Sequence, residues 1–431
     1  MDGPLAGKRM TVPGSGAAAW HAARMLRSLG AEVDCSARHT GTLRDWAESG
    51  ALALTGRADG PALVPPGAAA SAVRGALHAL GLLTGAVLPD ARVLSERAAL
   101  AGAGWHRDAP RSAGGALRVL RCADGWLGVN LARESDVDLL PAWLEEPVPD
   151  PWPALEKILP GRAAAPLVER ARLLGLPVAA WSSVDSPEPF GLTGTPGVPR
   201  SIDSAVVVDL SSLWAGPLCG HLLTLLGARV IKVESVGRPD GARSGPREFY
   251  DLLHAGQESV AVDFTTAEGR QTLRGLVEAA DIVIEGSRPR ALRQLGIDAE
   301  EVLAHVAAKV WVGITAYGRT GQEANAVGFG DDVAIAGGLL AFDPETGTPA
   351  PCGDAIADPV TGVNAALVAV ACRLAGGTWL ADLAMRDQIA ATMVGEPEDG
   401  DVGAAEPEPR RPAGRAPELG ADTARVLREL L

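Results

Sequence analysis

A doubly wound α/β sheet is predicted for residues 204–394, and three observations predict it. Short β-branched runs near 205–210, 229–234, 258–263, 281–285 and 309–314 alternate with segments of helical apolar spacing. Residues 204–234, SAVVVDLSSLWAGPLCGHLLTLLGARVIKVE, hold one complete unit of strand, tight loop, helix and strand. Composition agrees: 47% of the chain is hydrophobic but only 4% aromatic, which suits an Ala/Leu/Val-rich α/β protein. Asp209, Ser211 and Ser212 stand where the first strand of that unit ends. Open α/β sheets bind ligands there, beside a helix N-terminus whose amides favour anions.

In chain order, residues 8–35 come first and read as a worn copy of that unit. Leu29-Gly30-Ala31-Glu32-Val33 aligns with Leu226-Gly227-Ala228-Arg229-Val230 at an offset of 197. Residues 49–80 then parallel 337–370, with Gly50 against Gly338 at an offset of 288. The difference between the offsets means that the first copy lacks about 91 residues of the second, so it cannot build the same sheet. Residues 1–104 are therefore expected to be a degenerate, shortened copy of the domain at 204–394.

Residues 105–195 have another texture and are expected to form a small α+β domain. Arg118–Arg121 and Trp126–Leu131 read as a hairpin around Ala123-Asp124-Gly125. Helices are expected over 136–144 and 164–174, with prolines at 147, 149, 151 and 153 breaking the run between them. Pro187, Pro189, Pro196 and Pro199 mark a linker. In the second α/β unit, Thr265 and Glu268 suggest a capping box. A helix is expected from Asp382 to about Val394. Residues 395–431 are expected to be an acidic linker, Pro/Glu-rich over 396–411, and a short closing helix.

The net charge of −14 disfavours a nucleic-acid partner. Five scattered cysteines, without CxxC or metal-ligand spacing, point to reduced thiols in a cytoplasmic protein with no metal. Met1-Asp2-Gly3-Pro4 does not read as a signal peptide, and no apolar run approaches a membrane span. An anionic ligand in so acidic a chain needs a local basic cluster. Arg229, Lys232, Arg238, Arg243 and Arg247 follow the 211–217 loop, and Arg288, Arg290 and Arg293 follow the fourth strand. Together they suit a polyphosphate, or else form an ordinary solvated surface.

Asp354 and Asp358 lie in CGDAIADPVTGVNAALVAV. Asp358 precedes Pro359 and an apolar helix, which suits an N-cap and equally a carboxylate kept ionised for attack on a carbonyl. Aligning Gly362 with Gly75 places Ser71 opposite Asp358, so only the second copy has the carboxylate. His221, inside an apolar helix, reads as a core residue rather than a base. Gly114-Gly115 reads as a turn or a backbone-donor loop.

DLSSLWAGPLCGHLLTLLGARVIKVE, SVAVDFTTAEGRQTLRGLVEAADIVIEGSRPRALRQLGID, ITAYGRTG and IADPVTGVNAAL occur in that order. In them the chain resembles the class III CoA-transferases, the carnitine-dehydratase and bile-acid-inducible-F family that includes formyl-CoA transferase and α-methylacyl-CoA racemase. The resemblance implies a Rossmann-like large domain, coenzyme A as carrier, and acyl-CoA with a small carboxylic acid as substrates. It implies Asp358 as nucleophile, passing through a mixed anhydride and an aspartyl-CoA thioester. The loop Ser212-Leu213-Trp214-Ala215, Val262, Arg288, Arg290 and Arg293 would hold coenzyme A, and Gly114-Gly115 would be the family's glycine loop. Glu285-Gly286-Ser287-Arg288-Pro289-Arg290 departs from the usual E-N-F-R-P-G. Phe329 stands where racemases of the family use a histidine, which argues against racemisation unless Asp331 or Asp332 substitutes. Family members interlock as dimers. The duplication implies a monomer that imitates the dimer, or a homodimer. Two alternatives remain: other acyl-CoA chemistry on the same fold, and an inactive CoA-binding or scaffold protein.

Overall fold

The computed structural model describes residues 3–102, 105–182, 188–396, 398, 400 and 402–431. Pro187 of the expected linker and parts of the expected acidic segment lie outside the described residues. At the N-terminus β1 (Arg9–Thr11), α1 (Ala17–Ser28) and β2 (Glu32–Asp34) form strand, helix and strand, with the two strands parallel. Then come α2 (Thr42–Glu48), α3 (Ala69–Thr84) and α4 (Glu96–Ala101). α3 crosses α1 at near backbone contact. A β-carbon at Gly75 would stand 2.5 Å from the Ala18 carbonyl oxygen.

β3 (Leu117–Cys122) and β4 (Gly125–Asn130) pair antiparallel as a hairpin. α5 (Glu134–Asp138), α6 (Leu140–Leu144), α7 (Pro151–Ile158) and α8 (Ala164–Leu174) follow, and β5 (Val178–Ala180) adds a third strand beside β4. Leu127, Val129, Trp143, Leu155 and Val178 share a core of their own here. The single helix expected over 136–144 is two short ones. α7 arises within the proline run because Pro151 occupies its first turn, where a missing N–H costs no helical bond.

The segment expected as a linker contains β6 (Gly191–Thr195). From there the chain builds β7 (Val206–Asp209), α9 (Ala215–Leu225), β8 (Arg229–Ser235), α10 (Arg247–His254), β9 (Glu258–Val262), α11 (Ala267–Ala279) and β10 (Ile282–Glu285). It continues with α12 (Pro289–Gln294), α13 (Ala299–His305), β11 (Val310–Thr315), α14 (Gly330–Ala336), β12 (Ala341–Phe342), β13 (Pro349–Ala350) and α15 (Ala357–Ala375). β14 (Thr378–Ala384), α16 (Met385–Ala390) and α17 (Thr423–Leu430) close it. The sheet order is β6-β14-β11-β10-β7-β8-β9, parallel except for β6. This is the expected mostly parallel sheet, extended by two strands. The helix expected from Asp382 is in fact the end of β14 followed by the short α16.

Apolar residues face both sides of the sheet because helices cover both. α9, α15 and the N-terminal helices share one core, and α11, α13 and α17 the other. α9 crosses α15 as α1 crosses α3: a β-carbon at Gly362 would stand 2.5 Å from the Ala215 carbonyl oxygen. Contrary to the sequence expectation, α15 is long and apolar enough to cross a bilayer, but it is 89% buried within the fold. α11 is capped by Thr266, whose hydroxyl accepts from Gly269 N–H, one residue later than expected.

The described residues between 395 and 416 lack helix and strand, yet they are tied down. Glu398 accepts from Gly41 and Leu43 N–H at the start of α2, and Ala405 N–H donates to the Ala47 carbonyl. Arg410 grips the wholly buried Glu96 of α4 with both prongs. Further on, Asp422 and Thr423 accept from Ser259 and Ala261 N–H, covering the exposed edge of β9.

Candidate active site

α15 connects the parallel neighbours β11 and β14, so its N-terminus opens at the C-terminal edge of the sheet. Asp358 sits in its first turn. The N-cap is Ile356, with no side-chain cap, so the expectation that Asp358 itself caps the helix is corrected. Pro359 lies two residues inside the start, where its missing N–H is still one of the four unpaired donors. The half-buried Asp358 carboxyl, not used as a cap, accepts the Ala215 N–H at the start of α9. Gly330 lets it lie there, because any β-carbon at that position would collide with Asp358 Oδ2.

Two more carboxylates stand beside it. Asp331 accepts from Ala355 N–H at 2.8 Å and from Ser112, and Asp354 is fully buried. Arg97 of α4 reaches across from the N-terminal unit and binds Asp354 with Nε at 2.9 Å and with Nη2. Its guanidinium packs on the Trp105 ring (5.0 Å) and on the Trp214 ring (5.2 Å). Burial chiefly, with Asp331 and Asp354, pushes Asp358 up to about 7, against the pull of Arg97 and the Ala215 amide. The carboxylate expected to be kept ionised for attack therefore titrates near neutrality. Burial and Asp354 likewise push Asp331 up to about 6.

The Gly114 turn borders the same carboxylate cluster. Gly115 adopts φ 81° and its N–H donates to the Ser112 carbonyl, and a β-carbon at Gly114 would stand 3.6 Å from Asp354 Oδ1. Of the two sequence readings the structure shows the turn, which borders the carboxylates.

The expected coenzyme A residues divide. Trp214 and Ala215 touch the carboxylate cluster. Ser212 and the half-exposed Leu213 continue that loop outward, Leu213 at φ 69° with its N–H held by Asp240. Buried Lys232 ties Asp240, Asp209 and the Ser211 carbonyl beneath the loop. Neighbouring β10 delivers its own loop alongside, and a β-carbon at Gly286 would stand 2.9 Å from Ser211 Cβ. Arg288 then sits near Arg290, Arg238 and Arg133. Its own burial first, and those like charges next, lower its pKa, the signature of crowded cations. Val262 packs into the core on the other face of the sheet.

Five of the eight basic residues are not free for a ligand. Arg229 begins β8 at the opposite edge and pairs with Glu258 and Glu429. Lys232 is buried as above, Arg243 binds Glu234, Arg247 binds Asp251, and Arg293 binds Asp298. His221 is buried, touches Arg410, and is driven down to about 3 by burial and that charge, so it is neutral and structural. Among the described residues no group of three His, Cys, Asp or Glu side chains forms a metal site.

Asp332, the neighbour of Asp331, has a separate role. It is wholly buried and accepts from Asn130 Nδ2 (2.9 Å) and Phe329 N–H, while its Oδ2 and Asn130 Oδ1 are left as two acceptors with no donor. A proton on Oδ2 supplies the donor, and burial pushes this acid up to about 7. A carboxyl raised above its unfolded value loses stabilising protonation as pH rises from about 4 to about 7. Asp332→Asn is therefore expected to gain thermal stability relative to the wild-type protein as pH rises through that window. A gap between the two melting curves that stays constant with pH contradicts this.

The sequence model of CoA-transferase family III matches residues 202–423. The chain is 33% identical over 181 residues to succinyl-CoA–D-citramalate CoA-transferase of Chloroflexus aurantiacus, covering 40% of this chain and 45% of that one. It is 31% identical over 186 residues to succinate–glutarate CoA-transferase of Agrobacterium fabrum, covering 40% and 46%. The chain thus spans less than half of the length of these curated relatives. A CAIB/BAIF family protein from Brucella suis superposes with a TM-score of 0.41 at 31% identity, covering 44% of this chain and 55% of that one.

Proposed function

Because the chain belongs to CoA-transferase family III, we propose that it moves coenzyme A between an acyl-CoA thioester and a carboxylic acid, with Asp358 as nucleophile. The observation that supports this most is the Asp358 carboxyl itself, half-buried at a helix N-terminus, titrating near neutrality and anchored by the Ala215 amide. Asp358 attacks the thioester carbonyl, the C–S bond breaks, and an aspartyl–acyl anhydride forms with release of thiolate. Asp358 next becomes the aspartyl-CoA thioester as that thiolate attacks its carbonyl and the first acid departs as carboxylate. The acceptor carboxylate attacks the Asp358 carbonyl in turn. The thiolate then takes the new acyl group and Asp358 returns as carboxylate. No net proton moves, so a carboxylate needs no partner base here.

Arg288, Arg290 and Arg238 fit the phosphates of coenzyme A, and the 212–215 loop its path toward Asp358. Gly114-Gly115 fits a turn that lies beside the anhydride, with its Gly115 N–H already spent on the Ser112 carbonyl. The matched helix crossings at Gly75 and Gly362 favour a true internal duplication, in which one chain imitates a pair and keeps one nucleophile. In the first copy Ser71 stands opposite Asp358 and donates to Asp45 at 2.6 Å.

The test is direct. Wild-type protein incubated with acetyl-, succinyl- and hexanoyl-CoA in turn is expected to retain a CoA-thioester adduct on the peptide carrying Asp358, detected by mass spectrometry. No adduct across that panel, or one that persists in Asp358→Ala, rejects the proposal. A second reading, proton transfer at the acyl α-carbon, is favoured by Asp331 beside Asp358, both titrating near neutrality. Deuterium incorporation from D2O into recovered acyl-CoA would identify it.

A further inference from the structure

We propose that Arg97, supplied by the N-terminal unit, is the receptor for the substrate carboxylate at this site, holding both the acid that departs and the acid that enters. The proposal rests on the transferase reading. Arg97 spends Nε and Nη2 on Asp354, and among the described residues Nη1 has no hydrogen-bond partner. Its side chain keeps 27% of its surface exposed although two aromatic rings pack against the guanidinium. A rigid, permanently charged fork with one free prong and part of its surface exposed is built to take an oxyanion.

Charge count supports the same role. Asp354 is bonded to this guanidinium, and Asp331 and Asp358 are close enough to act on its charge as well. When Asp358 is acylated, its negative charge is gone. One anion fewer then faces Arg97, and at that moment the reaction releases or admits a carboxylate. The substrate's charge replaces the charge that Asp358 has surrendered, so Arg97 is balanced before and after each exchange. The acid held at Nη1 lies beside the carbonyl that it leaves or attacks. This also gives the N-terminal unit a chemical task, because the second copy's site lacks this cation without α4.

Arg97→Met and Arg97→Lys in the full chain are the test, with the acyl-CoA that labels wild-type Asp358 as donor and glutarate and acetate as acceptors. KM for the acceptor is expected to rise about 10- to 100-fold in Arg97→Met, the worth of one charge-assisted hydrogen bond, while KM for acyl-CoA stays within about threefold. Arg97→Lys should lie between, and added guanidinium should restore part of the activity of Arg97→Ala. An unchanged acceptor KM in a folded Arg97→Met overturns the proposal. Should the variants not fold, phenylglyoxal labelling of the wild type with peptide mapping decides. The acceptor acid is expected to protect Arg97 but not Arg288, and equal labelling of Arg97 with and without acid overturns the proposal. If no donor labels Asp358 in the wild type, the transferase reading fails and this proposal with it. If labelling occurs without an Arg97 effect, this proposal alone fails.

Discussion

Asp358→Asn is expected to lower turnover by at least about a thousandfold while leaving the fold intact and affinity for free coenzyme A within about threefold. The amide keeps the shape of the carboxylate and still accepts the Ala215 N–H, but it has no anionic oxygen to attack a thioester. In the proposed mechanism the attacking form is the ionised one. With the acid near 7, kcat/KM for acyl-CoA should fall about tenfold per pH unit below that value and level off above it. Stability runs the other way. An acid raised from 3.8 favours the folded state when protonated, so its support is lost as pH climbs toward 7. Asp358→Asn removes that dependence, and its melting temperature should exceed the wild type's by a margin that is greatest above neutrality. A variant that keeps wild-type turnover removes Asp358 from the chemistry. One that loses affinity for coenzyme A and its melting transition together was structural.

The strands that carry this site were legible because each is buried on both faces and so reads as an unbroken apolar run, as in Val206–Val208 or Ile282–Ile284. β6 was hidden because GLTGT has one face in solvent, no apolar run, and proline on either side. β14 was hidden because TWLADLA alternates and runs straight into α16. The position of Asp358, the proposed nucleophile, was legible along the chain, but its titration was not. That shift comes chiefly from burial, with Asp331 and Asp354 adding to it, and only the fold buries the carboxyl and brings Asp331 to α15. The basic residues show the same limit. Arg229 and Glu258 pair because the register of β8 against β9 makes them near neighbours, and nothing in their spacing announces it. Arg97 lies in an unremarkable SERAAL and becomes part of the site only through the seating of α4, where Arg410 grips its neighbour Glu96.

The two glycine crossings test the repeat and the site together. Gly362→Ala is expected to cost about 1–3 kcal/mol of stability, although alanine alone would favour the helix by about 1 kcal/mol. Its β-carbon would meet the Ala215 carbonyl at 2.5 Å and Leu218 Cβ at 3.0 Å, and a backbone carbonyl inside a helix cannot rotate away. α9 must shift from α15. Because Ala215 also presents its N–H to Asp358, the shift should weaken that bond, raise the acid further and move the pH–rate profile alkaline. Gly75→Ala makes the matching collision, 2.5 Å from the Ala18 carbonyl and 2.8 Å from Ala22 N, so a comparable loss in urea denaturation is expected. Its helix pair carries Ser71 where the other carries Asp358, so its pH–rate profile should stay in place. If Gly75→Ala proves neutral in stability, the crossings are not equivalent and the duplication loses its main structural support. Should both variants shift the profile alike, the nucleophile is coupled to the first copy through more than Arg97. The expected split, equal loss of stability with unequal loss of function, is what a copy would give that kept its packing after it lost its carboxylate.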